Sequence, residues 1–120
     1  MTRTPRVIKE TRSIPRMQAP GHMPVIDQMT DRQIGQLGNI SENGLLLITS
    51  ESMQEDSLYQ LRFTIPDSRG NEQTIDVGAH LLWCEPAQGR GNFWAGFRFL
   101  TLSQAHAQCL HDWMNGLSAS

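Results

Sequence analysis

The sequence predicts a mainly β fold: a small six-stranded antiparallel β-barrel with a C-terminal α-helix and a flexible N-terminal arm. Three observations predict it. Six short runs between Val25 and Leu100, apolar or alternating, are separated by clusters of turn formers, as in small all-β domains. Beyond them the apolar residues recur at helical spacing. Before Val25 there is no apolar periodicity at all. At 120 residues the chain holds one domain and one core. We divide it into an arm over 1–24 and a barrel with its closing helix over 25–117.

Pro5, Pro15, Pro20 and Pro24 exclude a long helix from the arm, and Gly21 loosens it further. Val25-Ile26 reads as a short strand and Met29 to Arg32 as a turn. Ile34 to Ile40 is read as alternating with a period of two, which suits a half-buried strand. Ser41-Glu42-Asn43-Gly44 is a turn, and Leu45 to Ile48 is a short apolar strand. Glu51 to Ser57 is a polar loop. Leu58 to Ile65 alternates cleanly, and Pro66 to Asn71 is rich in turn formers. Thr74 to Trp83 is the return strand, Glu85 to Gly91 the next turn, and Phe93 to Leu100 the last strand. Leu102, His106, Leu110, Trp113 and Leu117 then mark a helix, with Ser103 as its N-cap and Gly116 as its stop. Its Leu110 and Trp113 stripe packs on the sheet, and most of the aromatics fall at core positions.

Composition narrows the function. The hydrophobic fraction of 38% leaves part of the chain unpacked. No apolar run is long enough for a membrane helix, and the basic N-terminus lacks the apolar run of a secretory signal. We therefore expect a cytoplasmic protein with no membrane insertion. Cys84 and Cys109 suggest neither a disulfide framework nor zinc ligation, and read as small buried hydrophobes. His22, His80, His106 and His111 are scattered, without a partner at a recognisable catalytic spacing. Nor is there a phosphate-binding loop of the Gly-rich, Lys-Ser/Thr type. The expectation is no enzyme, no catalytic residue, no metal and no cofactor.

Charge is unevenly distributed. Residues 1–16 carry Arg3, Arg6, Lys9, Arg12 and Arg16 against Glu10 alone. The local balance of +4 leaves –6 on the rest of a chain of net charge –2. This is a basic arm on an acidic body. Such an arm is either a solvated tail or an anion-binding segment. The acidic body argues against binding a nucleic acid polymer.

Two motifs favour anion binding. Arg12-Ser-Ile-Pro-Arg16 sets two arginines four apart in a non-helical arm. A guanidinium holds phosphate with two parallel hydrogen bonds, stacks on purines, and reads the O6/N7 edge of guanine. The second motif is Asn39-Ile40-Ser41-Glu42-Asn43-Gly44. In a regular strand Asn39 and Ser41 share a face, and Gly44 permits an unusual backbone angle or a close backbone approach. The same residue types also build ordinary β-turns.

Together the two motifs resemble the PilZ family, small bacterial receptor domains for the second messenger cyclic di-GMP. The family pattern is Arg-x-x-x-Arg, a gap, then Asp/Asn-x-Ser-x-x-Gly. Arg12 and Arg16 fit the first half; Asn39, Ser41 and Gly44 fit the second. Leu45 to Ile48, Ala79 to Cys84 with its Trp83, and Ala95 to Leu100 with its Gly96 and Phe99 resemble the family's later strands. The resemblance implies the Greek-key form of the barrel. It also implies that Arg12 and Arg16 take phosphates and guanine edges, while Asn39 and Ser41 bond the bases and Gly44 leaves room. Cyclic di-GMP often binds this family as an intercalated pair. Like charges and prolines keep the free arm mobile, and binding would order it so that an effector protein reads the new surface. Motility, adhesion and biofilm control are the settings implied. Some members bind no cyclic di-GMP and act as protein–protein adaptors, which is the alternative function.

Overall fold

The computed structural model describes residues 17–18, 21–67, 69–87 and 91–119. Its strands are β1 (Met17–Gln18), β2 (Pro24–Asp27), β3 (Arg32–Ile40), β4 (Gly44–Thr49), β5 (Leu58–Pro66), β6 (Glu72–Pro86) and β7 (Phe93–Leu102). The helix α1 (Gln104–Ala119) follows. Strands β2 to β7 form a closed antiparallel barrel in the order β3-β2-β5-β6-β7-β4, with β4 pairing back onto β3. Around the barrel β5 lies beside β2, then β3, then β4, so the fourth strand returns to the first in a Greek key. Closure removes the open edges a flat sheet would expose.

Alternation puts one apolar set inside. On β5, Leu61, Phe63 and Ile65 are buried while Gln60, Arg62 and Thr64 are exposed. Leu45 and Leu47, then Ile75, Val77, Ala79 and Leu81, then Ala95 and Phe97 line the same interior. Tyr59 meets Phe97 edge to face, with ring centroids 5.5 Å apart at 85°. Leu110, Trp113 and Met114 of α1 complete the core. Ser103 caps the helix, its Oγ accepting the His106 N–H at 3.1 Å. His106 Nδ1 in turn accepts the Asp76 N–H at 3.2 Å, which ties α1 to β6. Burial pushes the Cys109 thiol up from its ordinary value, in keeping with a packing role.

The structure departs from the sequence reading in several places. The helix does not stop at Gly116 but runs to Ala119; one glycine costs only about 1 kcal/mol, less than is needed to end a packed helix. β6 is longer than Thr74 to Trp83, because antiparallel pairing carries it through polar residues from Glu72 to Pro86. A short strand, β1, lies within the segment read as arm. Finally, Trp83 and Trp94 lie on the outer face of the barrel, not in its core. The indole of Trp83 covers Gly96, and the ring edge of Trp94 covers Gly38.

Candidate functional site

The site forms around the β3–β4 turn, and a bulge decides what it presents. Leu37 pairs with Leu47 and Ile40 with Leu45, all four buried. Between them Asn39 pairs with Leu46, which leaves Gly38 as an extra residue in β3. A second irregularity falls opposite Val25 and Ile26, where Ile34 is the extra residue. Apolar positions therefore recur every third residue at Ile34, Leu37 and Ile40, and the period of two expected there fails. The bulge turns Asn39 outward alongside Leu46, where it is half-buried. Gly38 keeps this point uncrowded. A Cβ there would press on Trp94 at 3.0 Å and on the Leu46 carbonyl at 3.2 Å.

Ser41 does not share that outer face. It is 2% exposed, and its Oγ accepts the Asn43 N–H at 3.2 Å while lying 3.4 Å from the Gly44 carbonyl. The Ser41 N–H donates to the same carbonyl at 2.9 Å. The hydroxyl thus shapes the turn. Gly44 has no positive φ; its reason is close approach. A Cβ at Gly44 would run into the Phe97 carbonyl oxygen and come within 3.3 Å of the Arg98 Cα. The Asn43 carbonyl accepts the Phe99 N–H at 2.8 Å, which seats the turn on β7. From the helix, His111 Nδ1 donates to Glu42 Oε2 at 2.9 Å, and Asn115 Nδ2 donates to His111 Nε2 at 3.0 Å.

Cross-strand register then defines an outer shelf. Gln18 of β1 stands opposite Asn39, Asn39 opposite Leu46, Leu46 opposite Gly96, and Gly96 opposite Trp83. The shelf runs from an amide past an aliphatic residue to a half-buried indole lying over a glycine. An amide can hydrogen-bond a base edge, and an indole can stack on a base. The sequence reading placed most of the aromatics in the core, and Trp83 is an exception. Its signal was Gly96, a glycine inside an apolar strand, which marks close approach by another group. The arm's Arg12 and Arg16 lie outside the described residues.

The rest of the barrel offers little competing chemistry among the described residues. His80 and His111 do meet carboxylates, Asp56 at 2.6 Å and Glu42 at 2.9 Å. These partners are 24 and 69 residues away in sequence, so no motif spacing reveals them. No described hydroxyl or thiol bonds either ring, so neither pair forms a nucleophilic dyad. No described cluster of three His, Cys, Asp or Glu could hold a metal ion. No described helix is long and apolar enough to cross a membrane. A polar recess of about 210 Å³, lined by Gln33, Gln36, Ser50, Glu51 and Asn92 among others, opens at the opposite end of β3 and β4.

Comparison with known proteins bears on this geometry. A family model for the PilZ domain matches residues 10–116. The fold is similar to that of the Bacillus subtilis inhibitor of motility MotI/DgrA, with a TM-score of 0.73 and 15% identity over 91% of this chain and 52% of that one. It is similar to the PilZ domain of YcgR from Escherichia coli, solved with c-di-GMP, with a TM-score of 0.65 and 16% identity over 88% and 90% of the two chains. It is also similar to Escherichia coli YcgR in complex with c-di-GMP, with a TM-score of 0.67 and 18% identity over 88% of this chain and 45% of that one. The chain therefore spans about half the length of MotI/DgrA. No curated protein matches it.

Proposed function

We propose that this chain, which belongs to the PilZ domain family, is a receptor for cyclic di-GMP that signals through its N-terminal arm and performs no chemistry of its own. The observation that carries the proposal is the pairing of β1 with the far end of β3. Met17 stands opposite Ile40 and Gln18 opposite Asn39. Arg16 directly precedes Met17 in the sequence. That adjacency supports a place for the second arginine of the arm near the Ser41 turn.

In this proposal Arg16 and Arg12 grip phosphates and guanine edges, and Asn39 bonds a base edge from the barrel. Ser41 and Gly44 act one step back. Ser41 sets the turn, and Gly44 lets β4 approach β7, so that Asn39 and the arm meet at a fixed spacing. Gly44 thus contributes through the fold, whereas the sequence reading had it leaving room for the ligand. Ligand binding orders residues 1–16 over the shelf, and an effector protein reads that surface. YcgR binds c-di-GMP, which supports the ligand class, and MotI/DgrA is an inhibitor of motility, which supports a role in motility control. The proposal places its site of action in the cytoplasm.

The test is an NMR titration of the 120-residue chain with cyclic di-GMP. The amides of Asn39, Gly44 and residues 3–20 should shift and broaden, while those of Arg69 to Asn71 at the opposite hairpin stay in place. Unshifted arm amides at saturating ligand would contradict the ordering step. Unshifted amides everywhere would leave the adaptor function as the better account.

A further inference from the structure

We infer that Arg98, on the barrel wall, is a further anion-binding residue of this site and holds a phosphodiester of the bound dinucleotide. The inference rests on the receptor function proposed above. Arg98 is exposed between buried Phe97 and half-buried Phe99, so its side chain stands on the outer face. Its Cα partners are Gly44 on β4 and His80 on β6. Gly44 carries no side chain that could cover Arg98 on the flank toward the motif. Along β7, Arg98 is two residues from Gly96, one step of about 7 Å from the shelf that holds Asn39 and Trp83.

The charge pattern singles this arginine out. Of the other arginines on described strands, Arg32 meets Glu51 at 3.5 Å and Arg62 meets Asp76 at 2.8 Å. Arg98 has no carboxylate partner among the described residues. Two nearby acids are taken by histidines: Asp56 on the His80 side by His80, and Glu42 in the Gly44 turn by His111. The result is an unneutralised guanidinium on a rigid strand, at the edge of the one turn that the family motif occupies. Residues 17–120 carry a net –6, which repels a dianionic ligand. A cation fixed on the barrel offsets that repulsion where the ligand must sit, and its planar fork matches a phosphate. Because the strand already holds it, less entropy is lost than in ordering the arm.

The test is calorimetric titration with cyclic di-GMP at low and high salt, on wild type, Arg98→Ala, Arg98→Gln, Arg69→Ala and Arg16→Ala. Both Arg98 variants should bind about tenfold more weakly, with a shallower salt dependence than wild type and unchanged thermal melting. Arg69→Ala, at the distant β5–β6 turn, should bind as wild type does. Wild-type affinity and salt dependence in both Arg98 variants, alongside lost binding in Arg16→Ala, would overturn the role of Arg98 and leave the receptor function standing. No binding by the wild type would instead remove the receptor function, and this inference with it.

Discussion

Two turns of the barrel make the same local hydrogen bond and differ in everything around it. Between β3 and β4, Ser41 Oγ accepts the Asn43 N–H at 3.2 Å. Between β5 and β6, Asp67 Oδ1 accepts the N–H groups of Arg69 at 2.8 Å and Asn71 at 2.9 Å. The partners of Asp67 all lie within six residues of it. The Ser41 turn is instead bound by residues far away in sequence: Phe99 to the Asn43 carbonyl, His111 to Glu42, and the Phe97 backbone against Gly44. The Asp67 turn is a self-contained tip. The Ser41 turn is held by β7 and α1 together, so its geometry depends on the whole barrel being closed.

The largest way to break that contrast is Gly44→Ala. The new Cβ meets strand backbone, which cannot swing aside, and the cost should be about 3 kcal/mol, read as a lower midpoint in urea unfolding. A loss below about 0.5 kcal/mol would show that β4 and β7 can part freely, ending the argument for Gly44. Next comes Ser41→Ala, which leaves the Asn43 N–H without its acceptor at a part-buried position. The expected loss is about 1–2 kcal/mol. Smaller still is Glu42→Gln. Its hydrogen bond with His111 is half-exposed, so about 0.5 kcal/mol is expected. An effect larger than that of Ser41→Ala would mean that the link to α1, not the hydroxyl, sets the turn.

The smallest effect belongs to the tip, and it depends on pH. Hydrogen bonds to Asp67, first from the Arg69 N–H, hold its carboxyl below the usual aspartate range. A lowered folded-state pKa means the contribution is present above the unfolded value and is lost as pH falls through the folded one. On acidification the amides of Arg69 and Asn71 should move together, with a midpoint below that of a free aspartate. The Asn43 amide, bonded to a hydroxyl, should not follow that curve. If it does, the two turns are coupled and the contrast between them is lost.

Much of the barrel could be read from the sequence because local pattern encodes it. The clean alternation of Leu58 to Ile65 and the helical spacing through Leu110 and Trp113 both survive in the structure. What could not be read depends on pairing. β1 is two residues long and has no period to detect. The bulges at Ile34 and Gly38 exist only relative to β2 and β4, and they turn the period of two expected from Ile34 to Ile40 into a period of three. Ser41 has the residue type of a ligand contact, but its burial comes from strands it meets only after folding. Gly44 was singled out for an unusual backbone angle or a close backbone approach; the approach holds, and the backbone that approaches is that of β7. Arg12 and Arg16, which the family resemblance makes the core of the activity, lie outside the described residues, so their part rests on the adjacency of Arg16 to Met17.

The central claim is that the motif turn and the arm together bind cyclic di-GMP. The most direct measurement is calorimetric titration of the 120-residue chain and of its Arg16→Ala variant with that ligand. Micromolar or tighter binding by the wild type, abolished by Arg16→Ala, is the predicted result. The absence of heat at ~100 μM ligand, a binding free energy weaker than about –5.5 kcal/mol, would contradict it.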